Sequence, residues 1–279
     1  MPAEQELLKI IGLKKYFGGL KAVDNVDLSV KRGETMGLIG PNGAGKTTFF
    51  NMVCGAYTPT AGKILLNGEE IQGLPAHAVA RKGIARTFQI TRVFKDMTVE
   101  DNLLAAFALR RAPGLWASLG RSHTKRNREE AMTYLERVDI AAFAKQKAGD
   151  LSLGYMRRLE IARALALEPI LLMLDEPCAG LSKDATVDFM ELVGKLKSLG
   201  TTIMLVEHNM AVATALCDRM TVLSYGVKIA EGTPQEVQSN PVVIDAYLGE
   251  AEEAGRCSSC AISTPIMAIP RFSTIFPST

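Results

Sequence analysis

Long apolar runs are missing from this 279-residue chain, and so is an excess of charge of either sign. The longest strongly apolar stretch, Ile170-Leu171-Leu172-Met173-Leu174, is far too short to span a bilayer. Lysine and arginine number 32 against 30 acids, a net charge of +2, so no field calls for nucleic acid or anionic lipid. The N-terminus, Met1-Pro2-Ala3-Glu4-Gln5-Glu6, is polar and acidic, unlike a signal peptide. These absences predict a cytosolic protein unless a partner holds it to a membrane. Cysteine is scarce too: five, an odd and scattered set that excludes a disulfide framework. Cys54 and Cys217 read as small core hydrophobes. Cys257-Ser258-Ser259-Cys260 matches C-x-x-C, yet a zinc site usually needs four ligands, and the three histidines, His77, His123 and His208, lie far away in sequence. The reading is therefore against a metal or redox site there.

What the chain does have is a hydrophobic content of 47%, ample for one large core or two small ones, and a strong anion motif. Gly40-Pro41-Asn42-Gly43-Ala44-Gly45-Lys46-Thr47-Thr48 reads as G-x-x-x-x-G-K-[ST]. The glycines let the backbone curl until successive N–H groups point at one anion. Lys46 can reach the β- and γ-phosphates of a nucleotide, and the Thr47 hydroxyl is placed to ligate Mg²⁺. Glu34 to Ile39 reads as a buried strand before the loop. Lys46 to Val53 reads as a helix whose N-terminus faces the phosphates.

Residues 7–72 alternate short β-type runs with turns, and Asn67-Gly68 after Ile64-Leu65-Leu66 signals a hairpin. From 98 to 143 the spacing becomes helical, over Val99–Arg111 and Arg128–Val138, around Pro113-Gly114 and a basic polar stretch. Apolar strands return at Ile170–Leu174, Thr202–Val206 and Met220–Ser224, alternating with helices. That order implies βαβ units and a mostly parallel sheet, with a helical insert between its halves. The tail, about 252–279, is rich in Ser, Thr and Pro and is predicted to be disordered.

Leu171 to Pro177 is an apolar strand ending in two carboxylates, Asp175 and Glu176. Such a strand delivers Asp175 to its C-terminal edge, where ligands sit in open α/β sheets. Asp175 is the expected Mg²⁺ partner, and Glu176 the candidate to polarise an attacking water. Without the phosphate loop, an acidic strand exit would be an equal reading.

Together these segments resemble the ATP-binding cassette ATPases over roughly residues 7–251. The resemblance rests further on Arg86-Thr87-Phe88-Gln89, on Leu151-Ser152-Leu153-Gly154 with Arg157 to Ala164, on Ala179-Gly180-Leu181-Ser182, and on His208 after Leu205-Val206-Glu207. It implies that Gln89 links Mg²⁺ and the attacking water to a membrane subunit, and that His208 is a switch histidine. Residues 179–182 would contact a second cassette, and Phe17 would stack on adenine. Ser152 and the Gly154 N–H, at a helix start, would donate to a γ-phosphate presented by another subunit. Read alone, Gln89 is a strand-end amide, Phe17 a core aromatic and His208 a structural residue. Leu153 and Tyr155 depart from the common Leu-Ser-Gly-Gly-Gln signature.

The closer similarity is to the ATPase subunit of bacterial branched-chain amino acid importers. It lies in Phe17 to Val23, Gly83 to Gln89, Arg157 to Arg163, Val206 to Met210 and Asn240 to Glu250, and in the extended segment around Pro113 to Arg128. Importers of urea, amides or other amino acids share these motifs. The expected fold is α/β, a P-loop NTPase core (about 7–90 and 153–251) with an antiparallel β-subdomain and a helical subdomain (about 91–152), all one domain. The implied activity is ATP hydrolysis with Mg²⁺ at the cytoplasmic face of the membrane. The implied partners are membrane permease subunits, a second cassette ATPase (more often a different chain than a copy) and, indirectly, an external solute-binding protein, with no nucleic acid. A soluble cassette ATPase or a non-catalytic nucleotide-binding regulator are the rival readings.

Overall fold

Two long runs of alternating side chains start the fold in a computed structural model that describes residues 6–89, 91–111 and 124–247. Strands β1 (Glu6–Phe17) and β2 (Leu20–Lys31) pair antiparallel, with Phe17 opposite Leu20 across a Gly18-Gly19 turn. Strand β3 (Thr35–Ile39) then leads through residues 40–45 into helix α1 (Lys46–Val53). Strands β4 (Ala61–Leu66) and β5 (Glu69–Glu70) form the Asn67-Gly68 hairpin, with φ of 51° and 80° at its corner. Positive φ at both central residues matches the twist of a hairpin. These strands make a four-stranded antiparallel sheet in the order β2-β1-β4-β5. The antiparallel subdomain expected near the N-terminus is there.

A short helix α2 (Ala76–Arg81) and strand β6 (Ile84–Arg86) precede the helical region. That region holds α3 (Val99–Arg111), α4 (Lys125–Arg137) and two 3₁₀ turns, Ala141–Phe143 and Ala148–Asp150. The periodicity placed the second helix at Arg128–Val138. It begins three residues earlier, because the Thr124 hydroxyl accepts from the Asn127 N–H at 3.2 Å and caps it. Helix α5 (Leu153–Leu165) follows and packs on α3 and α4.

The remainder alternates: β7 (Leu171–Asp175), α6 (Lys183–Ser198), β8 (Ile203–Glu207), α7 (Met210–Leu216), β9 (Arg219–Ser224), β10 (Val227–Gly232) and α8 (Pro234–Gln238). A six-stranded sheet results, in the order β10-β9-β3-β8-β7-β6, parallel except for the β9–β10 pair. The period of two divides its side chains between two cores. Leu172, Leu174, Ile203 and Leu205 face the helical side, whereas Leu171, Met173, Met204 and Val206 face α1 and the antiparallel sheet. Because β3, β7 and β8 are buried throughout, they read as continuous apolar runs, as strands covered on both faces do. Among the described residues, no helix is long and apolar enough to cross a membrane. The C-x-x-C pair, His123, most of the Pro113–Arg128 segment and the tail lie outside the described residues.

Candidate nucleotide-binding and hydrolysis site

The parallel strands end together, and β3 runs out at the glycine-rich loop. Gly40 and Gly45 have no substitute there. A Cβ on Gly40 would stand 2.1 Å from the Leu223 carbonyl oxygen, and one on Gly45, at φ 98°, would stand 2.2 Å from that of Ala22. The β9–β10 turn ties the loop in place: the Gly226 N–H donates to Ala44 O at 3.1 Å, and Gly226 O accepts from the Asp24 N–H at 2.7 Å. Lys46 is buried, its ammonium folded back on Gly40 O and Pro41 O, each at 2.7 Å. First-turn N–H groups of α1 have no intrahelical acceptor by helix geometry, so they point into the loop as anion donors.

These groups surround a cavity of about 460 Å³, walled by Asn42 to Thr48, Leu20 to Ala22, Glu176 and Tyr225. That volume lies in the range of ligand pockets. Phe17 is not part of its wall. Its ring meets Tyr57 edge-on at 5.6 Å, with the Lys15 ammonium 5.0 Å from its centroid, and it is 44% exposed. Ser152, Gly154, Asp175, Gln89 and His208 also lie outside that wall.

Glu176 follows β7 with φ at 44°, in the left-handed region. A non-glycine residue held there stores strain, a feature that clusters at functional sites. Its N–H donates to Val206 O at 3.0 Å. The Gln89 amide donates to its Oε2 at 2.8 Å, and His208 Nδ1 stands 3.9 Å from the same oxygen. Three residues from three separate segments thus meet at one carboxylate. Beside His208, Glu207 turns inward, buried, and accepts from the Cys178 N–H at 3.3 Å. Burial raises the Glu207 carboxyl above the ordinary glutamate range.

Asp175 is buried and carries a partner the sequence reading did not supply. Arg86 donates to its Oδ2 at 2.6 Å and to Asn51 Oδ1 at 2.6 Å, between the rings of Phe50 and Phe88. The donors expected for Mg²⁺ from the sequence, the Thr47 hydroxyl, Asp175 Oδ1 and Gln89 Oε1, are hard oxygens of the type that ion takes. No group of three or more His, Cys, Asp or Glu that could hold a metal occurs among the described residues. A divalent ion here would therefore share phosphate oxygens, which is how Mg²⁺ is usually bound.

Ser152 is the N-cap of α5, its hydroxyl accepting from the Tyr155 N–H at 3.5 Å. The Tyr155 ring, at the position that departs from the common signature, rests 4.6 Å from that of Phe143. Sequence reasoning placed Arg86, Glu207, Arg157 and Glu160 inside the family motifs but gave none of them a role. The one available signal was a charge at the end of an apolar strand or inside an amphipathic helix.

The family model described as "ABC transporter" matches residues 23–179, and that described as "Branched-chain amino acid ATP-binding cassette transporter" matches residues 227–253. The chain is 47% identical over 251 residues to the high-affinity branched-chain amino acid transport ATP-binding protein BraF of Pseudomonas aeruginosa, covering 88% of this chain and 98% of that one. It is 46% identical over 253 residues to LivG of Escherichia coli, covering 88% and 99%. A solved ATP-binding cassette of an ABC transporter, in its ADP conformation, superposes with a TM-score of 0.78 at 33% identity, over 88% of this chain and 99% of that one. A bacterial cassette solved as a dimer gives 0.69 at 26% identity, over 81% and 98%. With the ABC transporter model matched over residues 23–179 and relatives 46–47% identical over most of the chain, this chain belongs to the ABC transporter family.

Proposed function

We propose that the chain binds ATP in the phosphate-loop cavity and hydrolyses it to power import through separate membrane permease subunits, at the cytoplasmic face of the membrane. The convergence of Gln89 and His208 on the carboxylate of Glu176, whose backbone is held in the left-handed region beside the loop, carries this reading. Glu176 accepts the proton of the attacking water, Gln89 and His208 orient its carboxylate, and Lys46 with the α1 N-terminus binds the phosphates. Thr47 and Asp175, with Gln89 beside them, would hold a magnesium ion, which would supply charge neutralisation at the phosphates. Ser152 and Gly154 stand outside the cavity and serve the nucleotide of a second ATPase subunit, so the working unit is a pair. Phe17 offers its exposed face to the base. Branched-chain amino acids are the proposed solute, supported by the C-terminal family match and by the relatives' activity. One domain covers 7–251, with its helical part at about 91–152.

Reconstitution with its permease and partner ATPase in proteoliposomes tests this. ATP hydrolysis stimulated by a binding protein loaded with leucine, isoleucine or valine is the expected result. Stimulation by urea or an amide alone would reassign the solute.

A further inference from the structure

We infer that Arg157 and Glu160 are positioning residues that lock the Phe88–Arg92 segment, and with it Gln89, to the helix that starts at Ser152. The inference rests on the reading above, in which Gln89 and Ser152 both serve nucleotide hydrolysis. Helix α5 presents Arg157, Glu160 and Arg163 three residues apart, hence along one face. Arg157 donates to the Phe88 carbonyl at 2.6 Å and to that of Gln89. From the other polarity, Glu160 Oε1 accepts from the Phe88 N–H at 3.1 Å and from the Arg92 N–H at 3.5 Å. Arg163 adds a bond to the Arg92 carbonyl.

The two opposite charges are nearly buried, 5% and 7% exposed, yet their heads stand 3.8 Å apart. They spend their hydrogen bonds on the neighbouring backbone instead of on each other. A buried ion pair stabilises little more than an apolar pair of the same size; what it adds here is a defined geometry. The same segment carries the Gln89 amide that bonds Glu176 at 2.8 Å. Ser152, the cap, sits about 8 Å up the helix axis from Arg157 at 1.5 Å per residue. A displacement of α5 therefore pulls Gln89 off Glu176, and a phosphate gripped at Ser152 holds it there.

The test uses Arg157→Met/Glu160→Leu in the full chain, because removing one charge alone strands the other. Expected are parent-like melting and ATP affinity, with amide hydrogen exchange across 88–92 accelerated about tenfold or more. In the assembled transporter kcat falls about tenfold or more at unchanged KM, the mark of a misplaced catalytic group. Arg158→Met serves as control: this neighbouring arginine bonds Val138 O and Asp188 O, so its loss leaves exchange at 88–92 alone. Parent-like exchange and kcat in the folded double variant would overturn the lock. Should the double variant fail to fold, Glu160→Gln is read by the same exchange measurement, with faster exchange at Phe88 and Arg92 expected. If the parent complex hydrolyses no ATP, the functional reading fails, while the exchange measurement still decides the lock.

Discussion

At the scale of single residues, Glu176 combines two costs, a left-handed backbone and a part-buried carboxylate, and the proposed role as general base accounts for both. Glu176→Gln is expected to keep ATP affinity while turnover drops by about 10²–10⁴-fold, the usual value of a general base. Parent-rate hydrolysis by that variant in the assembled complex would remove Glu176 from this role. Phe17→Ala is expected to weaken ATP by about 1–3 kcal/mol, and GTP equally, since stacking ignores base identity. An unchanged dissociation constant by calorimetry would leave Phe17 as the partner of Tyr57 alone. The cysteines give a third outcome. Burial pushes the Cys54 thiol up to about 11 and those of Cys178 and Cys217 up to about 12. At pH 8 their thiolate fractions are then ~10⁻³ and ~10⁻⁴. Peptide mapping after brief iodoacetamide treatment should find all three unmodified in the folded chain. Of the site, the phosphate loop was legible because its groups are contiguous, and Asp175-Glu176 because a carboxylate pair ends an apolar strand. Arg86 with Asp175, 89 residues apart, and Arg157 with Phe88, 69 apart, were not. No periodicity connects groups across such distances; the fold alone brings them together.

Elements followed their sequence signals closely where the periodicity was strong. Helices Lys46–Val53 and Val99–Arg111 occupy the predicted spans, and β7 and β8 differ from theirs by one residue at each end. The start of α4 was misplaced because its cap, Thr124, lies in a basic stretch where no apolar residue marks the first turn. Caps also carry a testable share of stability. Thr233 opens α8 with a full capping box: its hydroxyl accepts from the Glu236 N–H, and Glu236 Oε2 accepts from the Thr233 N–H at 2.7 Å. Thr233→Ala should cost about 0.5–2 kcal/mol by chemical denaturation. ATP affinity should stay at the parent value, because α8 packs on β9 and β10 and provides no wall of the cavity. A variant that weakens nucleotide as much as it weakens the fold would place α8 in the binding reaction.

On the scale of the molecule, the phosphate loop and the Ser152 N-cap occupy separate regions, and under the proposed function each is half of a pair. The chain alone is expected to hydrolyse ATP slowly, and assembly with its partner ATPase and permease to raise the rate by about 10³–10⁵, as donors supplied in trans do. Ser152→Arg should leave ATP binding to the isolated chain intact and block nucleotide-driven association, measured by sedimentation. Full-speed hydrolysis by a dilute monomer would contradict this arrangement. The tie from Gly226 to Ala44 and Asp24 bears on the same cycle. It fastens the phosphate loop to the antiparallel sheet on one side and to the parallel sheet on the other, through one glycine of a hairpin corner. A cradle anchored in this way is already in its binding shape, so capture of nucleotide spends little free energy on ordering the chain. In the transporter proposed above, the affinity saved remains available as a driving force for closing two subunits on each other, and the stiffness of one hairpin corner would thereby help determine how much mechanical output each bound nucleotide delivers.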